Sequence, residues 1–320
     1  MDWIKVKIYT SSEGIEPLSG RLYSLGITGL EIEDEKDFLD FLENNKQYWD
    51  YVDEELMEEK KGETTVSAYV SDNASGHEML MAIKNTVNEM KALDENGSFG
   101  RLAIEADNMH EDDWANNWKK YFHPMEVGEK ILIKPEWEDC VNSGERIVFS
   151  INPGMTFGTG SHYTTQLCIE ALEKYIKEGC NMLDLGCGSG ILSIISLLLG
   201  ANEATAVDID PNAVGIAYQN ADRNNVDKNR YHVYAGNIIS DTELQNKIDG
   251  KYEVVCANIV ADVIIALAPI ARRYMAENGV FITSGIIEDR EDDVRRRLVE
   301  CGFEIIGTSR RKDWISIVCR

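Results

Sequence analysis

Basic charge is scarce in this chain: among 320 residues, 32 lysines and arginines stand against 56 acidic side chains, a formal net charge of −24. A nucleic-acid backbone is bound through clustered Lys and Arg, so no direct nucleic-acid partner is expected. A basic protein or a small molecule suits such a surface better. Long hydrophobic runs are missing as well. The longest candidate, around Ile191 to Ala201, falls short of the roughly 18 to 20 residues a bilayer span needs and reads as a buried helix. The opening Met1-Asp2-Trp3-Ile4-Lys5 lacks a signal peptide's basic end and apolar run, so a cytoplasmic chain with no membrane partner is expected. The seven cysteines (Cys140, Cys168, Cys180, Cys187, Cys256, Cys301, Cys319) form no C-x-x-C pair, and the five histidines are dispersed. That spacing argues against a disulfide framework and against a structural metal. Nothing in the pattern specifies an oligomeric state.

Length is present, and with 43% hydrophobic residues it suffices for two modest domains. Residues 1–110 hold 24 acidic and 10 basic side chains, densest between Glu31 and Glu63. In this part, alternation over Trp3 to Tyr9 reads as a strand, followed by a helix near Glu16 to Leu25 and a strand across Ile27 to Glu33. After the charged block come a strand at Thr64 to Val70, a helix from Gly76 to Leu93 and a strand near Leu102 to Ala106. The order βαββαβ predicts a small α+β domain of ferredoxin-like type over residues 1–110. The acidic block reads as a solvated insertion. Trp114, Trp118 and Tyr121 recur at helical spacing, which predicts a linker helix over residues 111–124 with one aromatic face. Residues 125–320 form the second domain.

The chemistry is concentrated there. Met182-Leu-Asp-Leu-Gly-Cys-Gly-Ser-Gly-Ile-Leu192 is an apolar strand, a turn with Gly186, Gly188 and Gly190, and then a helix apolar nearly all round. Glycines let a ligand approach the backbone with no Cβ in the way, and such a turn at a parallel sheet's carboxyl edge is where nucleotide-like ligands bind. The spacing G-x-G-x-G misses the dinucleotide fingerprint, which disfavours a dehydrogenase. Asp184, just before the turn, is awkward for a diphosphate and natural for a cationic or amine-bearing ligand. About 20 residues on, Asp208 ends the next strand, placed to accept from ribose hydroxyls. Asp210 before Pro211 reads as a helix N-cap with Pro at the first helical position. Ala213, Ala217 and Ala221 form one close-packing face. A further buried strand, Tyr252 to Ala257, ends in Asn258. Its side chain could serve a substrate amine or satisfy loop backbone.

The D-x-G-x-G-x-G loop, the strand-terminal acid and the post-strand Asn resemble the class I S-adenosylmethionine-dependent methyltransferases. Strands at Tyr231 to Ala235, Val280 to Ser284, Phe303 to Thr308 and Trp314 to Cys319 complete that family's Rossmann-like sheet, the last two as a closing antiparallel hairpin. The stretch Asn152-Pro-Gly-Met-Thr-Phe-Gly-Thr-Gly-Ser-His-Tyr-Thr-Thr165, with Trp114/Trp118, Ala257 to Ala261, Ser284-Gly285-Ile286 and Asp313-Trp314, looks like the PrmA family. The likeness covers residues 110–320; in the first 110 only element order agrees. Ser161 and Tyr163 stand where the family often has Thr and Pro, and Glu277-Asn278-Gly279 replaces a Pro-Gly-Gly turn.

The resemblance implies methyl transfer from S-adenosylmethionine to lysine and N-terminal amino groups of the basic large-subunit ribosomal protein L11. It implies cofactor contacts at Thr165, Gly186, Gly188, Asp208 and Asn258, with Gly186 and Gly188 along the methionine part, Asp208 on the ribose and Thr165 at the methionine end. Asn258 and His162 are the catalytic candidates. The Phe157 to His162 stretch is expected to be a mobile flap, and His162 itself stays open between a ligand contact and a helix-capping or exposed histidine. A same-fold enzyme acting on a glutamine side chain or a small molecule is the alternative; the glutamine group carries Asn-Pro-Pro-Tyr where this chain has Asn258-Ile259-Val260-Ala261. A non-enzymatic binding module would not need all of these positions.

Overall fold

The computed structural model describes residues 3–27, 29–34, 64–94, 96–106, 122–139, 143–152, 160–248 and 250–320. The chain divides into two compact units, residues 1–121 and 122–320. The expected linker helix over 111–124 falls almost wholly outside the described residues, as do most of the acidic block and half of the expected flap.

The first unit runs β1 (Trp3–Tyr9), α1 (Ile15–Ser24), β2 (Leu30–Glu33), β3 (Thr65–Ser71), α2 (Ala74–Leu93) and β4 (Ile104–Ala106). Its sheet has the order β2-β3-β1-β4 with every pairing antiparallel, the ferredoxin-like arrangement. Period-two alternation buries Ile4, Val6 and Ile8 of β1. Leu80, Ile83, Val87 and Met90 recur at helical spacing on α2, so they form one stripe in the same core cluster. Asn73 starts α2 by accepting from the Gly76 N–H at 3.0 Å. The second strand is shorter than the expected Ile27 to Glu33. Ile27 ends α1 instead: its N–H donates to Leu22 O at 3.2 Å, beside Gly26 at φ 88°, the geometry of a glycine-terminated helix with an apolar residue after it.

The second unit begins with β5 (Met125–Val127), β6 (Ile131–Pro135) and β7 (Ile147–Ile151), a separate three-stranded sheet. Then come α3 (Tyr163–Tyr175), β8 (Asn181–Leu185), α4 (Ile191–Leu198), β9 (Glu203–Asp208), α5 (Pro211–Arg223), β10 (Tyr231–Ala235), α6 (Thr242–Lys247) and β11 (Tyr252–Asn258). The chain closes with α7 (Ala261–Tyr274), β12 (Met275–Ile287), α8 (Glu291–Glu300), β13 (Ile305–Arg311) and β14 (Trp314–Cys319). The large sheet has the order β10-β9-β8-β11-β12-β14-β13. Five strands are parallel, and β14 pairs antiparallel with both β12 and β13. This is the Rossmann-like class I methyltransferase sheet.

Alternating residues of one strand face opposite layers. Val254 and Cys256 of β11 join the core that includes Ile169 and Leu172 of α3, Ile194 of α4 and Ala217 of α5. Val255 and Ala257 join the core with Ile264 and Leu267 of α7 and Leu298 of α8. Helices therefore cover both faces, as a parallel sheet requires.

Two strands of the large sheet also differ from expectation. β13 starts at Ile305, not Phe303, because the Phe303 N–H donates to Leu298 O at 3.1 Å and closes α8 next to Gly302 at φ 81°. β12 is far longer than Val280 to Ser284. Its register with β11 passes from Tyr252↔Met275 to Val254↔Val280, so Glu277-Asn278-Gly279 lies in a bulge within the strand.

Candidate active site

The strand order reverses between β8, which continues outward to β9 and β10, and β11, which continues to β12. A crevice opens at the carboxyl ends of the strands at such a point. The glycine turn lies on it. Gly186, Gly188 and Gly190 have φ of 83°, 50° and 77°, values that favour glycine. The turn is tied to the neighbouring strand, since the N–H groups of Gly186 and Cys187 both donate to Val207 O, at 2.8 and 3.0 Å. A Cβ on Gly186 would sit 2.7 Å from Cγ2 of Ile259, so a side chain there would be forced against the loop that follows β11.

Asp208 closes β9 beside the turn. Its Oδ2 accepts from the Gly188 N–H at 2.7 Å and its Oδ1 from the Asp210 N–H at 3.0 Å. Burial raises this carboxyl above the ordinary aspartate range, against the pull of the backbone donors. A carboxylate has about four acceptor sites, so two backbone bonds leave capacity for a diol. Asp210 caps α5, accepting from the Asn212 N–H at 2.9 Å with Pro211 in the first turn.

Asp184 is fully buried, and burial pushes its carboxyl up to about 7. Oδ2 accepts from the Ser193 N–H at 3.2 Å, and Oδ1 has no partner among the described residues. The glycine cradle, a strand-end carboxylate with free acceptor sites, and a buried acceptor without a donor together fit a nucleoside that also carries an amine or another cation. They do not fit a diphosphate.

The second cluster joins α3 to β11. Asn258 Nδ2 donates to Thr165 Oγ1 at 3.2 Å, and Thr165 is completely buried in the first turn of α3. The residue after Asn258 is held from two sides: the Ile259 N–H donates to Ser284 O at 3.1 Å, while Gly285, at φ 85°, lies so close that a Cβ would strike Ile259 O. Asn258 and Gly186 are thus linked through Ile259.

His162 is the N-cap of α3. Nδ1 accepts from the Thr164 N–H at 3.3 Å and lies 2.7 Å from Thr164 Oγ1. Its ring meets Trp314 edge to face at 4.8 Å. Desolvation drops its pKa to about 4, so it is neutral near pH 7 and its Nδ1 lone pair is engaged. His162 thus caps the helix in this structure. In the expected flap, residues 157–159 lie outside the described residues.

Three contributions to this edge escaped sequence reading. Gly285 was legible only as part of a quoted motif. Trp314, also quoted only within a motif, sits in the last strand, about 150 residues in sequence from the His162 ring it meets. Asn237 follows β10 at the same edge, its Oδ1 accepting from the Ile239 N–H at 3.0 Å, and the Gly236 N–H donates to Asp208 O at 2.8 Å; a Gly-Asn pair just past a strand was the available signal. Among the described residues no group of three or more His, Cys, Asp or Glu side chains is placed to hold a metal ion, and no helix is long and apolar enough to cross a membrane.

The family whose sequence model matches is described as "Ribosomal protein L11 methyltransferase (PrmA)", over residues 2–320. The match therefore extends through the first 110 residues, where sequence reading found only a shared order of elements. Curated ribosomal protein L11 methyltransferases of two Clostridium perfringens strains, SM101 / Type A and 13 / Type A, are each 40% identical over 319 residues, covering 99% of this chain and 98% of theirs. The crystal structure of ribosomal protein L11 methylase from Lactobacillus delbrueckii subsp. bulgaricus is 30% identical, with a TM-score of 0.56, covering 62% of this chain and 98% of that one. With the sheet order, the glycine cradle and the Asn258–Thr165 pair, these likenesses mean that the chain belongs to the PrmA family of ribosomal protein L11 methyltransferases.

Proposed function

We infer that this enzyme transfers methyl groups from S-adenosylmethionine to ribosomal protein L11, and that the acceptors are lysine and N-terminal amino groups. The observation that carries the reading is the pairing of Asn258 with Thr165 beside the glycine cradle, in a chain matched from end to end by that family. Bound S-adenosylmethionine supplies an electrophilic methyl group on a sulfonium. The chain's own residues then have three tasks.

The first is holding. Gly186 and Gly188 allow close backbone approach, and Asp208 accepts from the ribose hydroxyls through the acceptor sites its backbone bonds leave free. Thr165, fixed in the first turn of α3, borders the methionine end.

The second is aiming. Asn258 gives its amide N–H to Thr165, which leaves the amide oxygen as an acceptor for the incoming amine. A hydrogen bond from the amine to that oxygen directs the nitrogen lone pair toward the methyl group, and such alignment supplies much of the acceleration in a displacement reaction.

The third is deprotonation. A lysine amine has a pKa of about 10.4, and entry into a partly dehydrated mouth beside a cation lowers it. His162 is not the base in this account, because its Nδ1 caps α3. The proton leaves through water.

The acidic first unit is read as the recognition module for the basic substrate, by complementary charge. Work on a ribosomal protein supports a cytoplasmic enzyme. Labelled S-adenosylmethionine offered with L11, with a release factor and with other ribosomal proteins in parallel tests the assignment. Label in L11 alone is expected; label in the release factor's glutamine and none in L11 would replace it with the glutamine reading.

A further inference from the structure

Asp184 takes no part in the holding, aiming or deprotonation described above, although its carboxyl is fully buried in the strand that ends at the glycine turn. We propose that Asp184 exchanges a proton for the cofactor: it is neutral before a cation enters the crevice and ionises as a sulfonium- or ammonium-bearing ligand binds, so that cation uptake and loss of one proton are a single event. The proposal rests on the S-adenosylmethionine reading and goes beyond it.

The surroundings explain the neutral form. The Ser193 N–H of α4 bonds Oδ2, while Oδ1 has no partner among the described residues. The other titratable groups that face it are Asp208 at the end of β9, Cys187 in the turn, Tyr231 on β10 and Cys256 on β11, the last in contact with Cys168 of α3. None of these is a cation. A carboxylate there would lack both water and counter-charge, so desolvation raises its pKa to about 7, with the charge of Asp208 adding to the effect. The chemistry balances simply. The carboxyl O–H bond breaks, the proton passes to water, and the carboxylate charge is compensated by the ligand's cation.

The sign of the linkage follows. A cation lowers the bound-state pKa below the free value of about 7. Below that pH, binding must first remove the proton, so affinity falls by about tenfold per pH unit as the solution is acidified. Above it the free protein is already ionised and affinity levels off.

Calorimetry of the full-length protein with S-adenosylmethionine, in paired buffers of different ionisation enthalpy, reads the proton directly. Most of a proton per ligand should be released at pH 6, and less as the pH rises past the free carboxyl's value. Neutral 5′-methylthioadenosine, which keeps the ribose and lacks the sulfonium and the ammonium, should release none. Asp184→Asn should bind S-adenosylmethionine with no proton release and with a dissociation constant that does not change between pH 6 and 7. Equal release with 5′-methylthioadenosine would assign the proton to Asp208 and overturn the proposal. Binding of S-adenosylmethionine by the wild type with no buffer-dependent heat would overturn it as well, whatever the variant does. If the wild type binds no S-adenosylmethionine at either pH, the functional reading fails, a result distinct from proton-free binding.

Discussion

Asn258 and Asp208 lie at one sheet edge, and single substitutions separate the duties proposed for them. Asn258→Ala removes the acceptor proposed to aim the amine and leaves the cradle whole. Turnover should fall by about tenfold to a hundredfold, with the dissociation constant for S-adenosylmethionine, measured by calorimetry, changed little. Unchanged turnover would remove Asn258 from the mechanism. Asp208→Ala should act the other way, weakening cofactor binding and leaving the Gly188 N–H without its carboxylate. His162 is testable by pH. Its folded pKa of about 4 lies below the unfolded value of about 6.5, so its contribution to stability is complete above about pH 6.5 and is lost as pH falls toward 4. Protonated Nδ1 can no longer accept from the Thr164 N–H. His162→Asn keeps a capping acceptor that does not titrate, so the melting temperature of that variant should decline less between pH 6.5 and 4. An identical decline in both proteins would show that His162 is not the group responsible. The placement of Asp208 and the glycines at the strand ends was legible because backbone geometry and strand position dictate their types. The state of His162 was not, because it depends on a ring contact with Trp314, which no local pattern encodes.

The elements were legible wherever period and punctuation agreed, as in β1, α5 and β14. Two strand starts were misplaced for one shared reason. Ile27 and Phe303 are apolar residues just after a helix-ending glycine, and in a linear reading they look like the first residue of a strand. Each instead donates its N–H back to the helix, to Leu22 O and Leu298 O. An apolar residue after such a glycine belongs to the helix stop. The extent of β12 was hidden by Glu277-Asn278-Gly279, which reads as a turn and is absorbed as a bulge. The bend at Gly285 sets the position of Ile259 and, through it, Asn258. Gly285→Ala places a Cβ against Ile259 O and asks alanine to hold φ 85°. The segment must shift, and both thermal stability and turnover should drop, with turnover per folded molecule falling further than cofactor affinity. A variant with wild-type turnover would show that Asn258 does not depend on this wedge.

Across the whole molecule the dominant quantity is charge. The net charge is −24, and the first 110 residues carry 24 acidic against 10 basic side chains, so attraction to a basic ribosomal protein is screened by salt over about 10 Å at 0.1 M. Raising the ionic strength from low to physiological should increase KM for L11 severalfold and leave kcat nearly constant; a KM independent of salt would argue that recognition is not electrostatic. Removing residues 1–105 should abolish modification of L11 while calorimetry still registers S-adenosylmethionine, whereas efficient modification by the shortened chain would refute a recognition role for the first unit. The reaction class and the cofactor were readable from sequence because the residues that signal them stand in short motifs at strand ends. The substrate came through family likeness, since protein recognition is spread over a surface with no short signature. The central claim, an enzyme that aims amines at the methyl of S-adenosylmethionine, is tested most directly by mass spectrometric mapping of L11 after incubation with the full-length chain and isotope-labelled cofactor. The account predicts labelled methyl groups on lysine side chains and on the amino terminus. Label on a side-chain amide or carboxylate, or unlabelled L11 after cofactor binding has been verified, would contradict it.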